Sequence, residues 1–76
     1  MYLEVLILTS QEIVFRGRAK SLILPGEEGV FEILPFHQPI ISRLLKGKVI
    51  VDGKVFSIKR GIVKVAHNKA TVIVEE

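Results

Sequence analysis

Only a few side chains in this sequence are of the types that catalyse reactions or bind metal ions. Glu27, Glu28 and Glu32 could supply a general acid and base, and the two histidines, His37 and His67, lie thirty residues apart. The histidines lack the ligand spacing of a metal site, and the chain has no cysteine. No G-x-S-x-G turn presents a nucleophile. The three carboxylates are better explained as a solvated turn and an outward strand residue.

The acidic segment also contains the sequence GEEG, which superficially matches a phosphate-binding loop. Two acids between Gly26 and Gly29 would repel phosphate, and neither a Lys-Ser/Thr ending nor a helix follows. A nucleic-acid-binding sheet needs aromatic residues interleaved with basic ones, but the four phenylalanines and one tyrosine are scattered. The net charge of +3 is typical of a solvated surface. We therefore expect no cofactor, no small-molecule substrate and no nucleic-acid partner.

The elements that position these side chains are predicted to be strands. Valine, isoleucine and leucine recur at intervals of two, and no stretch has the period of a helix. Type I′ and type II turns are predicted at Asp52-Gly53 and at 24–27, and a further turn at 67–69 has Asn68 left-handed. Strands are predicted over 3–9, 12–24 with a bend or bulge at Gly17, 30–34, 39–45, 47–51, 54–59, 62–66 and 70–75.

Short strands separated by turns at about ten-residue intervals indicate an antiparallel sandwich or barrel. The chain of 76 residues fits a single domain, 1–76, with one core, no repeat and no linker. No apolar run approaches the roughly 20 residues of a membrane-spanning helix, and the N-terminus lacks the pattern of a signal peptide. We expect a protein that is soluble or peripheral to a membrane.

Two of the predicted strands are too apolar to have one solvated face. Leu6 and Leu8 point away from the core when their neighbours point into it, and Ile73 does the same in the last strand. No helix is predicted that could cover such a face. We therefore expect either the second sheet or another protein to cover it.

The stretch LPGEEGVFEILPFHQPII, followed by KGKVIV and RGIVKVAHNKATVI, is similar to the N-terminal domain of the epsilon subunit of bacterial and chloroplast rotary (F-type) ATP synthases. The blocks keep their order and spacing over essentially the full chain. The resemblance implies an all-β fold, a flattened antiparallel β-sandwich of about ten short strands. It also implies a non-catalytic central-stalk subunit, which docks on the gamma subunit and the c-ring and couples ring rotation to the catalytic head.

The resemblance also implies which residues make the contacts. Val30 and Phe36 stand where the family pattern has an acidic residue and a glycine, so both add apolar surface to the expected interface. We expect the turn at Phe36 to form without a positive φ. Residues expected at the c-ring end are Glu28, Gly29, Val30, Phe36 and His37, and those on the gamma side are Gln38 and Ser42.

The implied location is the cytoplasmic face of the bacterial inner membrane, or the stromal side of the thylakoid if the gene is plastid-encoded. Most members of the family continue into a C-terminal helical domain, which this sequence does not include. The competing hypothesis is a free-standing β-sandwich interaction module that binds an acidic partner through Arg16, Arg18 and Lys20. An enzyme is the least favoured interpretation.

Overall fold

Nine β-strands make up the regular structure in the computed structural model, which describes residues 1–76. The all-β class is confirmed, with nine strands in place of about ten, and no helix is present that could span a membrane. The strands are β1 (Leu3–Leu8), β2 (Ile13–Ala19), β3 (Leu22–Gly26), β4 (Gly29–Ile33), β5 (Ile40–Leu44), β6 (Gly47–Val51), β7 (Lys54–Ile58), β8 (Arg60–Ala66) and β9 (Lys69–Glu75).

The strands form one sheet that curls into two layers around a shared core. One layer has the order β2-β1-β9-β8-β5, and the other contains β4, β3, β6 and β7. The layers join where Gly26 of β3 pairs with Leu44 of β5. Every pairing is antiparallel except that of β1 with β9, which is parallel. A parallel pair needs a long connection, and here nearly the whole chain lies between the two strands.

Strand β3 changes its neighbour at Pro25. Ile23 pairs with β6, whereas Gly26 pairs with Leu44 of β5. Proline has no N–H to donate to a sheet, and the C=O of Pro25 accepts a hydrogen bond from the N–H of Leu45 at 2.8 Å. This one strand thus pairs with strands of both layers, with β6 at Leu22 and Ile23 and with β5 at Gly26.

Two local predictions about the chain around β3 are wrong. The predicted type II turn at 24–27 is absent, because β3 continues through Gly26 and the turn follows at residues 27–28. The strand predicted over 12–24 is divided at residues 20–21, and its register with β1 is regular at Gly17 and shifts at Val14 instead. Both errors arise because hydrogen bonds from distant strands determine where the chain turns.

Asp52, in the turn between β6 and β7, holds the corner between β2 and β3. Both carboxylate oxygens accept the N–H of Lys20 at 3.0 Å, and one also accepts the N–H of Ser21 at 3.0 Å. The N–H of Asp52 donates to the C=O of Ser21 at 3.2 Å. With φ values of 46° and 87°, Asp52 and Gly53 form the predicted type I′ hairpin turn.

A single cluster of 16 buried hydrophobic residues forms the core, and no charged residue is buried. On β1, Leu3, Val5 and Ile7 point inward, as predicted. Phe15 of β2 and Phe56 of β7 pack edge to face beside this cluster, with ring centroids 6.0 Å apart. The two end strands of the curled sheet therefore lie against each other.

Candidate functional site

Two of the three acidic side chains that could do chemistry are engaged in surface interactions. Glu27 lies 3.7 Å from Arg43 in an exposed ion pair, and the carboxylate of Glu32 accepts a hydrogen bond from the hydroxyl of Ser21. No three histidine, cysteine or carboxylate side chains lie close enough to hold a metal ion. The surface also exposes large hydrophobic side chains, and these are the candidates for a functional surface.

Phe36 forms the tip of the corner between β4 and β5 in a backbone conformation that side chains disfavour. Its φ is 65°, so the expectation of a turn without a positive φ is wrong at this residue. The left-handed conformation costs a residue with a Cβ about 1 kcal/mol or more. Because the side chain is 66% exposed, packing within the chain offsets little of this strain.

Asn68 fixes the backbone at this corner. Its side-chain Oδ1 accepts the N–H of Phe36 at 2.8 Å, and its Nδ2 donates to the C=O of Tyr2 at 2.8 Å. Its backbone C=O accepts the N–H of Glu4 at 3.1 Å. The φ of Asn68 is 57° and that of His67 is 52°, which confirms the predicted turn and its left-handed asparagine. One side chain thus joins the β8–β9 turn, the N-terminus and the Phe36 corner.

His37 is half-buried beside Phe36, and local backbone groups hold it. Its N–H donates to the C=O of Leu34 at 3.2 Å, which closes the turn, and its Nδ1 lies 2.7 Å from the C=O of Gln38. A proton on Nδ1 would satisfy that carbonyl. Nε2 makes no hydrogen bond within the chain, so it is free to meet a partner.

Several apolar side chains are exposed around Phe36, and Nζ of Lys20 lies 5.8 Å from the centre of the Tyr2 ring. Met1, Tyr2 and Leu34 are exposed there together with Phe36, and Asn68 links the backbones of Tyr2 and Phe36. Sequence reasoning missed Met1 and Tyr2, because only the long-range bonds of Asn68 bring the N-terminus to this corner.

The residues expected at the c-ring end fall into two groups. Glu28, Gly29 and Val30 lie at the β3–β4 turn, whereas Phe36 and His37 lie beyond the far end of β4. From Gly29 of the first group, β4 runs four steps of about 3.3 Å, about 13 Å in all, to Ile33, which lies three residues before Phe36. The structure therefore brings together each group but not the whole set.

The two residues expected on the gamma side follow the Phe36 corner in the chain, and Ser42 lies in the layer that does not contain β4. Gln38 is exposed in the segment that leads into β5. Ser42 is half-buried on β5, and its hydroxyl donates to the C=O of Arg43 at 3.2 Å. Neither side chain contributes to the core.

A row of aliphatic side chains crosses the outer face of the β2-β1-β9-β8-β5 layer. In register, Ile62 pairs with Ile73, Ile73 with Leu8, and Leu8 with Ile13. The predicted apolar outer face is confirmed for Leu8 and Ile73, and the second layer does not cover it. Sequence reasoning missed Ile13 and Ile62, since only the strand register places them in this row.

Replacing Phe36 by glycine is expected to give a protein about 1 kcal/mol more stable than replacing it by alanine. Both changes remove the ring, but only glycine adopts φ near 65° without strain. In ordinary strand positions an alanine variant is more stable than a glycine variant. Urea unfolding of the two variants measures the difference, and an alanine variant as stable as the glycine variant would show that the corner is not strained.

Comparison with known proteins gives a family match over almost the whole chain. The family model described as "ATP synthase, Delta/Epsilon chain, beta-sandwich domain" matches residues 2–76. The ATP synthase epsilon chain of a Nitratiruptor species is 41% identical over 78 residues, covering 96% of this chain and 60% of the relative. That of Chlorobaculum tepidum is 36% identical over 75 residues, covering 92% of this chain and 85% of the relative.

Solved structures share the fold at low sequence identity. A chain in the Tetrahymena thermophila mitochondrial ATP synthase central stalk and c-ring superposes with a TM-score of 0.83 at 15% identity, over 96% of this chain and 63% of that one. A chain in the Euglena gracilis mitochondrial ATP synthase gives 0.89 at 17% identity, over 99% and 51%. These likenesses establish the fold alone. The chain spans about half to two thirds of several of these proteins.

Proposed function

Since the chain belongs to the family of β-sandwich domains of ATP synthase delta and epsilon chains, we propose that it is a non-catalytic central-stalk subunit of an F-type ATP synthase. It docks on the gamma subunit and on the c-ring, and it couples ring rotation to the catalytic head. It lies at the membrane surface only through the complex, on the cytoplasmic face in a bacterium. The names of the relatives and the exposed apolar surfaces support this proposal.

The observation that carries the docking role is the exposed, left-handed Phe36. A phenylalanine ring has about 200 Å² of surface, so covering the exposed two thirds would contribute about 3 kcal/mol at 25 cal/mol per Å². The backbone strain at this residue is about 1 to 2 kcal/mol. The free energy gained by burying the ring against a partner thus exceeds the cost of the backbone strain. In the isolated chain the strain remains and the ring stays exposed.

Within this proposal each contact residue keeps the partner that the resemblance assigned to it, either the c-ring or the gamma subunit. Phe36 and His37 form one contact for the c-ring, with the Nε2 atom of His37 available to accept or donate a hydrogen bond. Gln38 and Ser42 face the gamma subunit. The second c-ring contact is the β3–β4 turn of Glu28, Gly29 and Val30.

The test measures binding of the purified chain to two partners, the isolated gamma subunit and the complex of gamma subunit and c-ring. We expect Phe36→Glu to weaken docking to the c-ring complex at least tenfold, and His37→Asp to weaken it as well, without unfolding the chain. Val55→Glu is the matched control, since Val55 is exposed on β7, at the opposite edge of the layer from β4. Failure of wild type to bind gamma at micromolar concentration would overturn the proposal.

A second candidate is an interaction module for an acidic partner. Arg16 and Arg18 line a shallow surface cavity with Lys69, which favours this candidate. However, Glu4 pairs in register with both Arg18 and Lys69, and it offsets part of their charge. A pull-down that recovers proteins other than ATP synthase subunits, with binding lost as salt is raised, would favour the second candidate.

A further inference from the structure

Three strands, β2, β7 and β4, pair with another strand on one side alone, and β5 pairs on its second side only through Leu44. The first two protect each other, because Phe15 and Phe56 pack edge to face and Nζ of Lys54 lies 5.6 Å from the centre of the Phe15 ring. β4 pairs only with β3 and has no neighbour on its other side. The edge of β4 is therefore free along its whole length.

Pro25 determines which backbone groups this edge presents. Its C=O accepts from Leu45 on the side of β3 that faces away from β4, and it has no N–H. Pro25 and Val30 are therefore a non-hydrogen-bonded pair, and alternate residues of β4 direct their polar groups outward. Val30 and Glu32 present free N–H and C=O groups, while those of Phe31 point to β3.

The side chains along this edge protect it poorly. Natural edge strands are commonly blunted by charge, proline or a bulge. In β4 the one charged residue is Glu32, whose carboxylate is already engaged by the hydroxyl of Ser21. Val30 is 75% exposed, and Leu34 is exposed just beyond the strand. Both the backbone and the apolar side chains of this edge are thus available to a partner.

The free edge also connects the two groups of contact residues. The Glu28 to Val30 turn lies at one end of β4, and Phe36 and His37 follow the other end. An extended segment lying along β4 touches both.

We propose that an extended strand of a partner subunit of the stalk or rotor adds to the free edge of β4, an inference that rests on the proposed function. Strand addition satisfies the outward N–H and C=O groups of Val30 and Glu32. Three acids, Glu27, Glu28 and Glu32, lie along the hairpin, and only Glu27 has a cationic neighbour, Arg43. Charge complementarity therefore selects a partner strand that carries basic as well as apolar residues.

Hydrogen exchange on the wild-type chain, free and bound to the complex of gamma subunit and c-ring, tests the proposal without a mutation. In the free chain the amides of Val30 and Glu32 are expected to exchange much faster than those of Phe31 and Ile33. In the bound chain the Val30 and Glu32 amides are expected to slow at least tenfold. Unchanged exchange of these two amides in a chain that binds would overturn strand addition and leave the docking function intact.

Glu32→Pro provides a second measurement, because proline removes an outward N–H and no bond to β3. Glu32→Thr is its matched control, which loses the same carboxylate but keeps the N–H. We expect Glu32→Pro to bind the complex at least tenfold more weakly than Glu32→Thr, with both variants folded. Equal binding of the two would contradict the proposal.

Two further outcomes would also overturn it. If the wild-type chain does not bind the complex, the proposed function fails and strand addition fails with it. If exchange at Val30 and Glu32 in the isolated chain slows as its concentration is raised, the occupant of the edge is a second copy of this chain and not a stalk partner.

Discussion

Replacing Asn68 by alanine is expected to lower the free energy of unfolding by about 3 kcal/mol. The side chain makes two hydrogen bonds of 2.8 Å, one with the N–H of Phe36 and one with the C=O of Tyr2, and each contributes about 1 kcal/mol. Alanine would also have to adopt the φ of 57°, at a cost of about 1 kcal/mol. Urea unfolding measures the loss, and in a domain of this size each kcal/mol shifts the thermal midpoint by about 4 to 8 °C.

Two further variants of Asn68 separate these contributions. Asn68→Gly keeps the left-handed backbone but loses both side-chain bonds, so it should lose about 2 kcal/mol. Asn68→Asp keeps an acceptor for Phe36 and should lose about 1 kcal/mol. If the alanine variant were as stable as wild type, the Phe36 corner would be held by other contacts.

Replacing Asp52 by alanine is expected to lower the free energy of unfolding by about 2 kcal/mol. The carboxylate accepts the N–H groups of Lys20 and Ser21 at the corner between β2 and β3. A charged acceptor contributes about 1.5 to 3 kcal/mol per bond when buried, and we expect less here because Asp52 is exposed and water can replace it. Alanine also tolerates the φ of 46° less well than aspartate does.

Asp52→Asn is the control for this prediction. Asparagine keeps one acceptor oxygen and suits the first position of a type I′ turn before Gly53, so the loss should be about 1 kcal/mol. Thermal and urea unfolding of both variants give the comparison. Equal stability of the alanine and asparagine variants would show that the carboxylate does not hold this corner.

Both of these residues could be predicted as turn formers from sequence, but their longer-range bonds could not. Asp52-Gly53 and Asn68 indicate positive φ values, because short polar side chains and glycine tolerate them, whereas the positive φ of His67 was not predicted. The N–H groups that bind the Asp52 carboxylate lie more than thirty residues earlier in the chain. Phe36, whose N–H binds the side chain of Asn68, also lies more than thirty residues before it. No local pattern shows which distant N–H groups a turn residue will accept.

The failures have a common physical origin in tertiary contacts. Pro25-Gly26 has the composition of a type II turn, yet β3 runs through it because Gly26 pairs with both Gly29 and Leu44. Phe36 is a residue type that disfavours a positive φ, yet Asn68 and the turn at Leu34 hold it there. Local propensity does not include such contacts.

The expected contact residues were identified by resemblance, and their separation became visible only in the fold. Glu28 and His37 are nine positions apart in sequence, which is compatible with one compact surface. The strand β4 lies between them and fixes their distance. The sheet register also exposes the aliphatic row of Leu8, Ile62 and Ile73, which gives a partner a second apolar surface.

The most direct test of the central claim is reconstitution of ion pumping. Membrane vesicles carrying an F-type ATP synthase depleted of its epsilon subunit would be supplied with this chain, and ATP-driven pumping would be followed with a fluorescent probe of the ion gradient. We predict that the wild-type chain and Val55→Glu restore pumping in a saturable manner, and that Phe36→Glu requires at least tenfold more protein. No restoration by the folded wild-type chain, or equal restoration by Phe36→Glu, would contradict the account.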